Sequence, residues 1–200
     1  MVVFLKTFRG DNGVILFIII CLFLSLVSFV EGIPAKITSS PNDLTATTTL
    51  FQELSYDDGG QNGMSSMSNI GDIRVVRFTP TNYPFNLTFG RFYLFSNNSF
   101  RVHVFDDDGV NNYPNTDLIN PFNTTVYGSD PYGQWQNITL PTAIQIYSGD
   151  FYVGLETLNT EVGVGLDYSP PIDNRSHHKY SWSGWYDFTD EDFMIRASGH

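Results

Sequence analysis

Beyond about residue 49, apolar and polar positions alternate with a period of two nearly everywhere, the spacing of half-buried strands. Ile73-Arg-Val-Val-Arg-Phe78 predicts a strand that Thr79-Pro80 stops. Phe85, Leu87 and Phe89 alternate with Asn86 and Thr88, and residues 91–95 continue or pair with that run. Phe100, Val102 and Val104 alternate with Arg101 and His103, which predicts a strand whose polar side chains face water. Gln136 to Leu140 repeats the pattern, with Ile138 and Leu140 inward and Asn137 outward. Further short runs follow at 143–147, 151–155, 162–167, 179–182 and 193–197, separated by Gly, Pro, Asn and Asp turns. Roughly ten short strands without an amphipathic helix of useful length predict an all-β fold, an antiparallel β-sandwich of jelly-roll-like form. The last strand, Phe193 to Ala197, is expected to pair inside a sheet, so that its deletion unfolds the domain.

The N-terminus is different. Lys6 and Arg9 precede an apolar run, Val14 to Val30, interrupted only by Ser25 and Ser28. As a helix the run would be roughly 26 Å long, near the thickness of a bilayer core. Val30-Glu31-Gly32 puts small residues where a signal peptidase cuts. Residues 1–32 therefore read as a cleaved signal peptide or as an uncleaved N-terminal anchor, with the basic flank inside and the rest exported. Residues 33–49 are rich in Ser, Thr and Pro and read as a linker. Residues 50–200 then form the extracellular sandwich, secreted or held at the cell surface.

Composition narrows the partners. The net charge is −11, so nucleic acid and anionic lipid are excluded as partners, and membrane contact is expected only through the N-terminal segment. Cys21 is the single cysteine and lies in the apolar run, so the exported part must cohere without disulfides. Five Asn-x-Ser/Thr sequons, at Asn86, Asn97, Asn123, Asn137 and Asn174, predict a glycosylated surface.

In chain order, Leu54-Ser-Tyr-Asp-Asp-Gly59, Arg77-Phe-Thr-Pro80, Val102-His-Val-Phe-Asp-Asp-Asp-Gly109, Gly149-Asp-Phe-Tyr-Val-Gly154 and Asp192-Phe-Met-Ile-Arg-Ala197 cover most of the exported part. Together they resemble an accessory β-sandwich module of secreted bacterial and archaeal proteins, often found beside subtilisin-like proteases or surface-layer segments. The resemblance implies a jelly-roll-like sandwich, an extracellular setting and no catalytic residues.

Three groups of residues carry candidate chemistry. Asp106-Asp107-Asp108-Gly109 fails the EF-hand template, because position 6 is Asn111 and position 12 is Asp117. Asp106, Asp108 and Asp117 would suit a different calcium shell, or the aspartates simply bond local amides in an extended turn. Tyr132, Trp135, Trp182 and Trp185 would offer rings on which sugars stack; alternatively Trp182, Trp185 and Phe188 fill the core near the last strands. The histidines read as exposed or turn residues, and His177 and His178, being adjacent, would face opposite sides of a strand. No His-Glu-x-x-His, Gly-x-Ser-x-Gly or zinc-type cysteine set is present. The function expected is a non-catalytic extracellular interaction module for a glycan or a cell-surface protein. The alternatives are a structural component of a cell envelope or surface layer, and a secreted glycosidase-like hydrolase.

Overall fold

The alternation is realised as two antiparallel sheets packed face to face, a β-sandwich. The computed structural model describes residues 9–10, 13–14, 50–67, 69–95, 97–126, 132–158 and 162–200. The chain divides into two compact units, 1–46 and 47–200. In the first, Arg9–Gly10 (β1) pairs antiparallel with Gly13–Val14 (β2). The apolar segment from residue 15, Cys21 and the 33–49 linker lie outside the described residues. Among the described residues no helix is long and apolar enough to cross a membrane.

In the second unit the first sheet has six strands. Their order is β13 (Trp185–Phe188), β12 (Ser176–Lys179), β5 (Ile73–Phe78), β10 (Phe151–Thr157), β7 (Asn98–Asp106) and β8 (Phe122–Val126). The other sheet runs β14 (Asp192–Phe193), β11 (Val162–Asp167), β6 (Phe85–Phe95), β15 (Ile195–Gly199) and β3 (Gln52–Leu54). In addition β4 (Gly63–Met67) pairs with β11, and β9 (Gln134–Ile146) pairs with β6.

Period-two patterning decides which side chains meet between the sheets. From the six-stranded sheet, Val76 and Phe78, Phe100, Val102 and Val104, and Phe151, Val153 and Leu155 point inward. They meet Phe85, Leu87, Phe92 and Leu94 of β6, Val162, Val164 and Leu166 of β11, and Ile195 and Ala197 of β15. The Phe151 ring lies 5.7 Å from Phe78 and 6.0 Å from Phe85, so aromatic packing joins the two sheets. The opposite parity of β5, β7 and β10 carries a second, smaller apolar cluster of Ile73, Val75, Phe105 and Tyr152 on the outer face, with Trp185 against it. That cluster shows that the outer face of this sheet is covered.

The predicted strand at 179–182 is displaced in the structure. Strand β12 ends at Lys179, and Tyr180 to Gly184 make the turn into β13. Two predicted runs, 85–89 and 91–95, are one long strand, β6, which holds β9 on one side and β15 on the other.

Strands β14 and β15 are one chain segment interrupted at Met194. Its N–H donates to the Gly165 carbonyl (2.9 Å) and its carbonyl accepts from the Tyr93 N–H (3.0 Å), so the segment bridges β11 and β6. Just before it, Asp192 lies opposite Asp167 in register and is buried, with Oδ1 unpartnered among the described residues. Burial, and after it the charges of Asp173, Asp167 and Asp57, push its carboxyl up to about 6 from an ordinary 3.8, although the Asp173 N–H opposes them. A raised carboxyl favours the fold while protonated, so this contribution is full below about pH 3.8 and is lost as pH rises through about 6. Asp192→Asn is therefore expected to stabilise the protein above pH 6, by up to ~3 kcal/mol, and to make no difference below pH 4. Urea melts of both proteins across that range measure it; a gain that persists in acid would contradict the assignment.

Candidate functional site

The outer face of the six-stranded sheet gathers polar and aromatic groups from several strands. Cross-strand register lines up Lys179 with Ile73 and Trp185, His177 with Val75 and Asp187, and Gly154 with His103 and Val75. The chain then folds back over this face through residues 107–118. The return is pinned to β7 by the Asp106 N–H on the Thr116 carbonyl (2.8 Å) and the Leu118 N–H on the Val104 carbonyl (2.7 Å). At the tip, Asn111 and Asn112 adopt positive φ, a conformation Asn tolerates well. Gly109 packs so close to the Tyr113 carbonyl that a Cβ would sit 2.3 Å from that oxygen. Any side chain there would lift the loop.

Between loop and sheet lie two hollows, both bordered by Tyr113. The larger, about 520 Å³, is lined by Phe105, Tyr113, Asn115, Lys179, Ser183 and Trp185 among others. The smaller, about 410 Å³, is lined by Arg77, Tyr113, Tyr152, Asn174, His177 and Asp187, with Asn111 and Thr189. Tyr113 donates its hydroxyl to Asp187 (3.0 Å), and Tyr152 donates to the Asn112 carbonyl (2.6 Å). The loop is thus tied to the sheet floor by phenol hydroxyls on both sides. Burial pushes the Tyr152 phenol up to about 12, so it stays a donor throughout the physiological range.

The histidines overturn the expectation of exposed side chains. His103 is only 7 % exposed and His177 only 4 %. The His103 ring stacks on Phe105 at 4.8 Å, with Nδ1 3.0 Å from Asp117 and Nε2 3.0 Å from Glu156. Each ring nitrogen thus faces a carboxylate side chain. Glu156 is also paired with Arg101 at 2.9 Å, so a charged row continues to the β8 edge. His177 Nδ1 lies 3.0 Å from Asp187, and its ring is held edge-on by Tyr113 and Tyr152. Burial lowers the His177 imidazole below its ordinary range, against the pull of the Asp187 carboxylate. As expected of neighbours on a strand, His178 faces the other side, against Tyr180, Tyr186 and Phe188. Among the described residues, the hydrogen-bond partners of His103 and His177 are carboxylates.

The aspartates at 106–108, and Asp117, are directed to different partners. Asp106 accepts from the Asp107 N–H (3.0 Å), and Asp107 from the Asp150 N–H (3.3 Å). Asp108 uses both oxygens on Thr116, at 2.9 Å to the N–H and 2.6 Å to the hydroxyl, and those bonds lower its carboxyl. Asp117 faces His103. Burial first, then Asp107 and Asp108, raise Asp106. Among the described residues no group of three carboxylate, imidazole or thiol side chains is placed to share a metal ion. Asp108 spans the loop through Thr116 and Asp117 meets β7 through His103, whereas Asp106 bonds the neighbouring amide.

The aromatic candidates separate. Trp185 lines the larger hollow, meeting Phe105 edge-on at 5.9 Å with the Lys179 ammonium 5.8 Å from its ring centre. Trp182 is not core: it is 68 % exposed at the β12–β13 turn and stacks on Tyr180 at 5.0 Å. Phe188 does reach the core, stacked on Phe193 at 4.7 Å. Trp135 lies on the outer face of the other sheet, its ring against the guanidiniums of Arg91 (4.9 Å) and Arg196 (4.4 Å). Tyr132 is exposed, and its carbonyl accepts from the Tyr93 hydroxyl (3.1 Å). Around Trp135, Arg196 pairs with Glu53 (2.9 Å) and, through Nε, with Asp57 Oδ2 (3.0 Å). Burial works to raise the Glu53 carboxyl, but the guanidiniums of Arg196 and Arg91 outweigh it and hold it low. That cluster braces the sheet. Of the four predicted rings, only Trp185 faces the cleft.

Comparison with known proteins addresses the fold. No family model matches the chain, and no curated protein matches it. Among solved structures, the clostridial cysteine protease Cwp84 after propeptide cleavage overlays with a TM-score of 0.53 at 14 % identity, over 68 % of this chain and 37 % of the protease. A second structure contains the cysteine protease and lectin-like domains of Cwp84, a surface layer associated protein of Clostridium difficile. It overlays with a TM-score of 0.49 at 14 % identity, over 67 % of this chain and 33 % of that one. The chain thus spans little more than a third of the first protein, and at this identity the likeness is one of fold.

Proposed function

We propose that the sandwich is a non-catalytic extracellular interaction module that holds glycan chains in the cleft between residues 107–118 and the six-stranded sheet. The observation that carries this reading is the make-up of the larger hollow. An indole, a phenol and a phenyl ring stand beside dispersed hydrogen-bonding groups, the combination that suits a sugar's apolar ring face and its hydroxyl rim. Lys179 adds three donors, since among the described residues its ammonium has neither a hydrogen bond nor an ion pair. The floor is rigid sheet, so little ordering entropy opposes binding. The export-type leader and the five sequons support the extracellular setting.

The test is a glycan array probed with the purified chain, followed by titration of a bound glycan against variants. Trp185→Ala is expected to weaken binding by about 2 kcal/mol, roughly thirtyfold, as loss of an aromatic anchor does. Trp182→Ala, which removes a ring outside the hollow, is expected to leave affinity unchanged. An array without binding, or a loss caused by the Trp182 variant instead of the Trp185 one, would overturn the assignment.

A further inference from the structure

One side of the sandwich ends in two open edges. Among the described residues β8 pairs only with β7, and β9 only with β6. A groove of about 620 Å³ runs between them, walled by Asn123, Thr124 and Thr125 on one side and Gln136, Asn137 and Thr139 on the other. Open edges present unpaired N–H and C=O groups that template pairing with another chain, and folded proteins blunt them with charge, proline or cover. Here β8 (Phe-Asn-Thr-Thr-Val) holds neither charge nor proline, and β9 holds no charge and a single proline, Pro141 at the groove's end, which leaves the seven residues from Gln134 to Leu140 uncovered. Elsewhere β3 carries Glu53 and β13 carries Asp187, and uncharged β4 is met by Arg74, whose Nε donates to the Ser65 hydroxyl (3.3 Å).

What each bare edge does hold is one sequon. Asn123 and Asn137 are both exposed. Arg101 Nε donates to Asn123 Oδ1 (3.2 Å), which fixes that side chain and leaves Nδ2 without a partner among the described residues. Asn137 stands on the facing wall of the same groove. Asn86 is unlike them, half-buried with Nδ2 3.0 Å from His200 Nε2. Neither Asn123 nor Asn137 lines the cleft, so a modification at these two positions is independent of glycan binding there.

We propose that Asn123 and Asn137 carry N-linked glycans that cap β8 and β9 and prevent copies of this chain from pairing edge to edge. The modification takes its oligosaccharide from a polyprenyl pyrophosphate donor. The anomeric C1–O bond breaks, the pyrophosphate leaves with the electron pair, C1 bonds to Nδ2, and the amide gives up one proton. A second chain must bring its backbone within about 4.8 Å of an edge to pair with it. A hydrated glycan on each wall of the groove denies that approach while leaving the interior untouched.

The test uses the full chain secreted from a eukaryotic expression host. Glycopeptide mapping is expected to find both asparagines occupied, and sedimentation velocity to find a monomer. Asn123→Gln with Asn137→Gln, and separately Thr125→Ala with Thr139→Ala, remove the same glycans by two routes. Both pairs are expected to shift most of the material to dimers and larger species with the melting curve unchanged. Asn97→Gln with Asn174→Gln is expected to stay monomeric. Either asparagine unmodified, both edge variants monomeric, or equal association of the Asn97/Asn174 variant would each overturn the proposal.

Discussion

Removing residues 193–200 is expected to abolish folding of the β-sandwich. Strand β15 lies inside the seven-stranded sheet with β6 on one side and β3 on the other, so its loss opens the sheet through its middle. Phe193, Met194 and Ile195 are wholly buried, and each contributes roughly 1.5–3 kcal/mol by leaving water. The Met194 backbone also bridges β6 to β11, so N–H and C=O groups of both would lose their partners. Against a typical domain stability of about 5–15 kcal/mol, the sum is decisive. The measurement is near-ultraviolet circular dichroism and thermal melting of the truncated chain. A cooperative transition in it would show that the sheet closes without its terminal strand.

Arg196→Met carries the next largest effect. The Asp57 side chain is 0 % exposed, and Arg196 bonds it through Nε and Nη2. Taking the guanidinium away strands a buried carboxylate, which costs about 3–5 kcal/mol. Replacing both members, Arg196→Met with Asp57→Asn, is expected to recover most of the loss, since an amide tolerates burial far better than an unpaired charge. Urea melts of the two single variants and the double variant give the coupling energy directly. A single-variant loss below about 1 kcal/mol would mean that water reaches Asp57 once the arginine is gone.

Long, strongly alternating strands were legible from the sequence, and weakly patterned edges were not. Ile73–Phe78 and Val162–Asp167 occupy the predicted residues because their apolar positions and flanking turns leave one register open. Strand β4 (Gly-Met-Ser-Ser-Met) and strand β8 escape such reading because neither alternates apolar and polar residues over more than two buried positions. Their pairing is enforced by the neighbour, β11 in one case and β7 in the other. The site was harder still. Arg101, His103 and Phe105 form the outward face of β7, and outward positions on a strand read as wet. His103 is largely buried there because the chain returns over that face as residues 107–118, a contact between segments that no local period encodes. For the aspartate turn the residues alone leave both alternatives open; in the structure those carboxylates lie against Thr116, His103 and nearby amides. Trp185 and Trp182 are indistinguishable in sequence; the position of the β12–β13 turn separates them.

The two ends of the sandwich unit meet. Gln52 and Gly199 are paired neighbours, so the polypeptide path into the unit and the path out of it emerge at one corner. A unit with this wiring behaves like a cassette: it can be spliced into a loop of a host protein, or hung from a tether, without stretching either junction. Ala197 pairs with Leu54 on the same two strands, so a pull on both ends at once would unzip this ladder one rung at a time instead of shearing it whole. Mechanical load would therefore be felt first at β3 and β15, in the sheet opposite the one that floors the cleft.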